Sequence, residues 1–144
     1  MFLGEHQHVI DEKGRIFIPA SLREELGERF VLAKGFDRCL FLYPALEWER
    51  LGEKLRELPF TKADVRSFIR LFFASASVGE TDRQGRVLVQ PGLRRYASLD
   101  KEVTVLGVYN RIEIWERRIW EEYSQGAASS FEDVAERIMG PGGI

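Results

Sequence analysis

The sequence predicts an α+β fold: two β-rich modules that share one barrel-like core about a pseudo-twofold axis, flanked by helices. Three observations carry that expectation. The chain repeats itself, each repeat holds a turn signal between alternating apolar residues, and helical apolar stripes follow each repeat. The repeat is read first, because it sets the rest. DEKGRIFIPASLR, from Asp11 to Arg23, matches DRQGRVLVQPGLR, from Asp82 to Arg94, at an offset of 71 residues. A second pair of blocks follows in the same order. FVLAKGFDRCLFLY, from Phe30, matches EVTVLGVYNRIEIW, from Glu102, at an offset of 72, with Gly35 set against Gly107 and Tyr43 against Trp115. Two ordered matches at nearly one offset are not a chance event.

Each repeat reads as hairpin, short helix, hairpin. Asp-x-x-Gly between apolar runs is a tight-turn signal: the carboxylate caps the turn and Gly takes a positive φ. Strands at about 6–10 and 15–18 flank the first turn. Ile16 and Ile18 alternate onto one face, and Val87 and Val89 do so in the second copy. Pro19 opens a short helix that Gly27 closes. Gln90-Pro91 stands where the first copy has Pro19-Ala20, which shifts the expected start of the second short helix, and the place of Arg94, by one residue. Strands at about 30–34 and 39–43 complete the first repeat. A unit of some 40 residues buries too little surface alone, so two fused copies are expected to complete one core.

Helices fill the remainder. Trp48, Leu51, Leu55 and Leu58 make one stripe between Pro44 and Pro59. Thr61 to Asp64 is a capping signal for a helix that turns Val65, Phe68, Ile69, Phe72 and Ala76 inward. Trp115, Ile119 and Tyr123, with Trp120, begin a helix after the second repeat. Phe131 to Met139 fits one more, and the closing GPGGI reads as loose. The expected organisation is repeat 1 at 5–47, a helical linker at 48–75, repeat 2 at 76–119, and a C-terminal helix and tail at 120–144.

Composition narrows the function. Of 144 residues, 44% are hydrophobic and 31% charged, which suits a globular chain rather than a disordered one. The net charge of -2 hides an asymmetry: six acids and three arginines lie in residues 116–144, leaving the rest at +1. A local basic face is compatible with that, a strong polycation is not. Cys39 is the only cysteine, so no internal disulfide forms. MFLGEHQHVI lacks the pattern of a signal peptide, no apolar run nears the roughly 18 residues of a membrane span, and a cytoplasmic location is expected.

The resemblance lies in MFLGEHQHVIDEKGRIFIPASLR, in KGFDRCLFLYP with Trp48, in RLFFASA, and in TDRQGRVLV and GVYNRIEIW. Through these the chain resembles the MraZ family, within the wider AbrB-like group of swapped-hairpin transcription factors. The likeness spans the chain up to about residue 120. It implies a DNA-binding regulator of the division and cell-wall gene cluster, including its own promoter, acting in the cytoplasm and nucleoid. It implies a ring-shaped homo-oligomer, with eight copies expected, on repeated operator elements of double-stranded DNA. The family's D-x-x-x-R pattern falls on Asp11 and Arg15, and on Asp82 and Arg86.

Arginine beside a turn suits this task. Its planar fork pairs with guanine edges or with phosphate, and the turn fixes where the fork starts. Asp11 and Asp82 shape the turns, Arg15 and Arg86 make the contacts, and Lys13, Arg83 and Arg38 add phosphate contacts. Few charges per module make each contact weak, so a ring is expected to bind direct repeats by avidity. The competing reading leaves Arg15 and Arg86 as solvated partners of the Asp carboxylates, while Arg23 and Arg94 fit a surface salt bridge at least as well as a DNA contact. His6 and His8 share a strand face without a third ligand nearby in sequence, so no metal is expected, nor any cofactor. Cys39, in an apolar strand, reads as a buried small hydrophobe. Phosphate-loop, dinucleotide and nucleophile-elbow motifs are absent, and the chain is not expected to be an enzyme. The alternative function is an antitoxin-like protein-interaction module.

Overall fold

The computed structural model describes residues 1–142; of the expected loose GPGGI end, the last two residues lie outside that range. The chain runs β1 (Glu5–Val9), β2 (Arg15–Phe17), α1 (Ala20–Leu26), β3 (Phe30–Lys34), β4 (Leu40–Pro44), α2 (Ala45–Arg56) and α3 (Ala63–Ser75). The second half follows with β5 (Ser77–Gly79), β6 (Arg86–Leu88), α4 (Pro91–Tyr96), β7 (Glu102–Gly107), β8 (Ile112–Glu116), α5 (Arg117–Ala128) and α6 (Phe131–Met139). The two halves repeat one order of elements, and the architecture is mixed α and β with antiparallel pairing.

The halves exchange their first strands. β1 pairs with β7, β5 pairs with β3, and β2 pairs with β6. Hairpin turns do form at Asp11 and Asp82, where the Asp N–H donates to the carbonyl of Arg15 and of Arg86 respectively. Beyond the turn, however, each hairpin is held within its own copy by one bridge, Ile10 to Ile16 or Thr81 to Val87. The remaining backbone bonds go to the other copy.

This exchange also explains a correction. The six-stranded sheet has the order β1-β7-β8-β4-β3-β5 and leaves β1 and β5 as open edges, so the expected barrel is not closed. β2 and β6 have spent their ladder bonds on each other as a separate ribbon, and a single bridge per copy is too little to seam the edges together.

The sheet is covered on both faces, as the alternation in β4 and β8 requires. Leu40, Leu42, Ile112 and Ile114 point into the main core with Ile16, Ile18, Val87, Val89, Leu22 and Leu93, so both copies build one interior. Phe41, Tyr43 and Trp115 point the other way and meet Trp48 and Leu51 of α2 and Ile119 and Trp120 of α5. Leu58, expected in the α2 stripe, lies beyond the helix and is exposed. The capping signal at Thr61 also fails: Lys62 is the N-cap and makes no side-chain cap bond.

Strand pairing corrects the repeat alignment. Phe30 lies opposite Pro44 and Gly79, as Val103 lies opposite Glu116 and His8. Phe30 therefore matches Val103, not Glu102, and the match of Gly35 to Gly107 is one residue out. The loop after β7 is one residue shorter than the loop after β3. The short helices need no shift: α1 starts at Ala20 and α4 at Pro91, 71 residues on, with Gln90 serving as the N-cap in place of Pro19.

Candidate nucleic-acid interface

The local chemistry of each turn follows from its sequence. Asp11 Oδ1 accepts the backbone N–H of Lys13 at 3.0 Å and of Arg15 at 2.9 Å, and Asp11 Oδ2 accepts Arg15 Nε at 2.7 Å. The second copy makes the same set: Asp82 Oδ1 accepts Gln84 N–H and Arg86 N–H, both at 2.9 Å, and Oδ2 accepts Arg86 Nε at 2.9 Å. Gly14 and Gly85 close the turns at φ of +86° and +78°, a region costly for other residues. The backbone N–H of Arg15, helped by its guanidinium, holds Asp11 below the usual carboxylate range against a smaller opposing desolvation, and Arg86 does the same to Asp82.

The ribbon brings the turns together. Arg15 lies opposite Leu88, Ile16 opposite Val87, and Phe17 opposite Arg86. Residues opposite each other share a face, so Arg15, Phe17, Arg86 and Leu88 form one face while Ile16 and Val87 are fully buried on the other. Arg15 and Arg86 are 30% and 29% exposed, neither swallowed nor free. The two guanidinium groups are neighbours: Arg86 Nη1 stands 3.8 Å from Asp11 Oδ2, the oxygen that Arg15 already holds. Each arginine uses Nε on its own aspartate, and its Nη atoms make no hydrogen bond among the described residues.

Of the remaining expected residues, Lys13 and Arg83 are exposed on the turns but at different positions, since Gln84 takes the place of Lys13 and Glu12 that of Arg83. Arg38 is not among them: it bonds Ser98 Oγ at 2.6 Å, in the β3–β4 loop. Arg23 and Arg94 pack against the turns, and their recurrence at the same offset was the signal for them. Neither takes part in an ion pair among the described residues.

His8 stacks its edge on Phe17 at 5.3 Å, and burial, with His6 beside it, lowers its pKa. Among the described residues no three His, Cys, Asp or Glu side chains group as metal ligands do. Cys39 is buried and donates to the Phe36 carbonyl at 3.2 Å; burial and nearby Glu113 push its thiol well up, which disfavours the thiolate form.

Twin Asp–Arg turns on a ribbon formed by two strand-exchanging copies define the class: a fused pair of one small β module. A family model described as "MraZ protein, putative antitoxin-like" matches residues 1–71 and again 72–140. A relative from Pelotomaculum thermopropionicum is 57% identical over 139 residues, covering 96% of either chain. Relatives from Heliobacterium modesticaldum and Carboxydothermus hydrogenoformans are 55% and 52% identical, each over 96% of this chain and 97% of theirs. All three carry the name "Transcriptional regulator MraZ", a role outside catalysis. The chain belongs to the MraZ family.

Proposed function

We propose that this chain is a DNA-binding transcription regulator that reads short direct repeats with its Arg15- and Arg86-bearing turns. The observation that carries the reading is the sharing of one exposed ribbon face by both arginines. A two-stranded ribbon is of a size to enter the major groove. Arg15 and Arg86 contact base edges or phosphate, Asp11 and Asp82 hold their forks, and Lys13 and Arg83 add phosphate contacts that position without specifying. The exchange of β1 and β5 supports an AbrB-like swapped-hairpin fold, with the repeats at 5–47 and 76–119.

The target is the division and cell-wall gene cluster with the chain's own promoter, and the site of action is the cytoplasm and nucleoid. The names of the relatives support transcription regulation. No helix among the described residues is long and apolar enough to cross a membrane. A ring-shaped homo-oligomer, expected as an octamer, presents several ribbons to successive repeats, which lets weak single contacts add up.

Selection from random DNA tests this. The expected product is a short repeated element whose affinity falls steeply with salt. Arg15→Ala with Arg86→Ala is expected to abolish its binding in a mobility-shift assay while light scattering gives an unchanged particle mass. Normal binding by the double variant would remove these arginines from the interface.

A further inference from the structure

Gly14 and Gly85 are buried although they sit at turn tips. What buries them comes from the opposite copy. A methyl group at Gly85 would stand 2.7 Å from Arg23 Cζ and 2.9 Å from its Nε. One at Gly14 would stand 2.8 Å from Arg94 Cζ and 2.9 Å from its Nε. Each guanidinium thus fills the space where a side chain would begin, packed against the glycine of the other half's turn. Backbone bonds run the same way: Ile18 N–H donates to the Gly85 carbonyl at 3.0 Å, and Val89 N–H to the Gly14 carbonyl at 2.8 Å. Arg23 Nε in turn donates to the Ile18 carbonyl at 2.7 Å, and its Cζ lies 5.4 Å from the Phe17 ring centroid. Arg94 Nε is buried without a partner among the described residues.

We infer that Arg23 and Arg94 are positioning residues that act across the repeat: Arg23 sets the turn that aims Arg86, and Arg94 sets the turn that aims Arg15. The part of this concerning DNA rests on the function proposed above. A planar guanidinium packed against a glycine differs from a point charge on phosphate, and lysine separates the two. It keeps the charge but loses the plane.

The test uses the full chain. In Arg23→Lys, deuterium exchange followed by mass spectrometry is expected to rise severalfold in peptides covering 82–86 and to stay level in 11–15; Arg94→Lys is expected to give the reverse. Faster exchange confined to the variant's own copy, or none at either turn, overturns the inference, and this readout needs no DNA. On the selected element, Arg23→Lys is expected to lose about tenfold in affinity. That loss should vanish in an Arg86→Ala background and persist in an Arg15→Ala background. Full affinity in Arg23→Lys, as a phosphate contact would give, overturns the aiming role. Failure of the unaltered chain to bind DNA would sink the proposed function while leaving the crossed exchange pattern to decide the packing. Should a lysine variant not fold, Gly85→Ala replaces it: its loss of melting temperature is expected to shrink in Arg23→Ala and not in Arg94→Ala.

Discussion

Asp11 and Asp82 make the same bonds to the same positions of their turns, while Trp48 and Trp120, which hold matching places on α2 and α5, live in different surroundings. Trp48 is stacked on Phe72 at 5.5 Å and edged by Phe73 of α3. Trp120 has its own strand's Trp115 and its own helix's Tyr123 for company, and bonds Glu5 through Nε1. The helix that follows, α6, leaves Phe131 and Ile138 about three-quarters exposed. The halves stay alike at the ribbon they build together and diverge in the helices packed outside it. At the ribbon, one half's arginine must fit the other half's glycine, so neither changes independently.

The largest effect should come from the shared centre. Ile16→Ala empties a fully buried place opposite Val87 and is expected to cost about 2–5 kcal/mol. Urea unfolding should still show one transition; two would mean that the halves unfold separately. Next come the helices. Phe72→Ala, at a site 5% exposed, is expected to cost about 3 kcal/mol, whereas Phe131→Ala, in the corresponding helix of the second half, should stay within about 0.5 kcal/mol in the isolated chain. Equal losses would erase the contrast.

The smallest effect is the most symmetric. Asp11 and Asp82 have folded-state pKa values below the ordinary value of about 4. Their contribution is therefore full above that value and is lost as pH falls through the lowered folded values. Melting temperature followed from pH 6 to pH 2 should drop below pH ~4, and Asp11→Asn and Asp82→Asn should flatten the drop equally.

Much of this was legible in the residues. Asp-x-x-Gly-Arg is a local signal, because the bonds it predicts close within five residues, and the Trp48, Leu51 and Leu55 stripe needs only the helical period. Sheet closure was not legible, since alternating Ile16 and Ile18 suit an edge, a ribbon or a barrel equally. The mismatch of Gly35 with Gly107 has a chemical cause. Both must be glycine, but Gly35 makes room for Phe41 and Cys39, and Gly107 for the backbone at Phe2 and Leu3. One letter served two unrelated demands, and only hydrogen-bond register tells them apart. Arg23 and Arg94 were visible as a recurrence, yet their glycine partners lie more than 60 residues away in the chain, beyond the reach of any local rule.

The crossed strands have a consequence for how the protein can be divided. A nick in the connection between α2 and α3 should leave the particle whole, because β1 and β5 would still be laced into the opposite fragment. Either fragment alone would carry a stray strand and a bare ledge, and would gather a twin of itself to cover them. Joining the two in one polypeptide guarantees that unlike partners meet in equal number. Lys13 and Arg83 can then sit at different points of otherwise equivalent bends, and no particle is built from two identical halves.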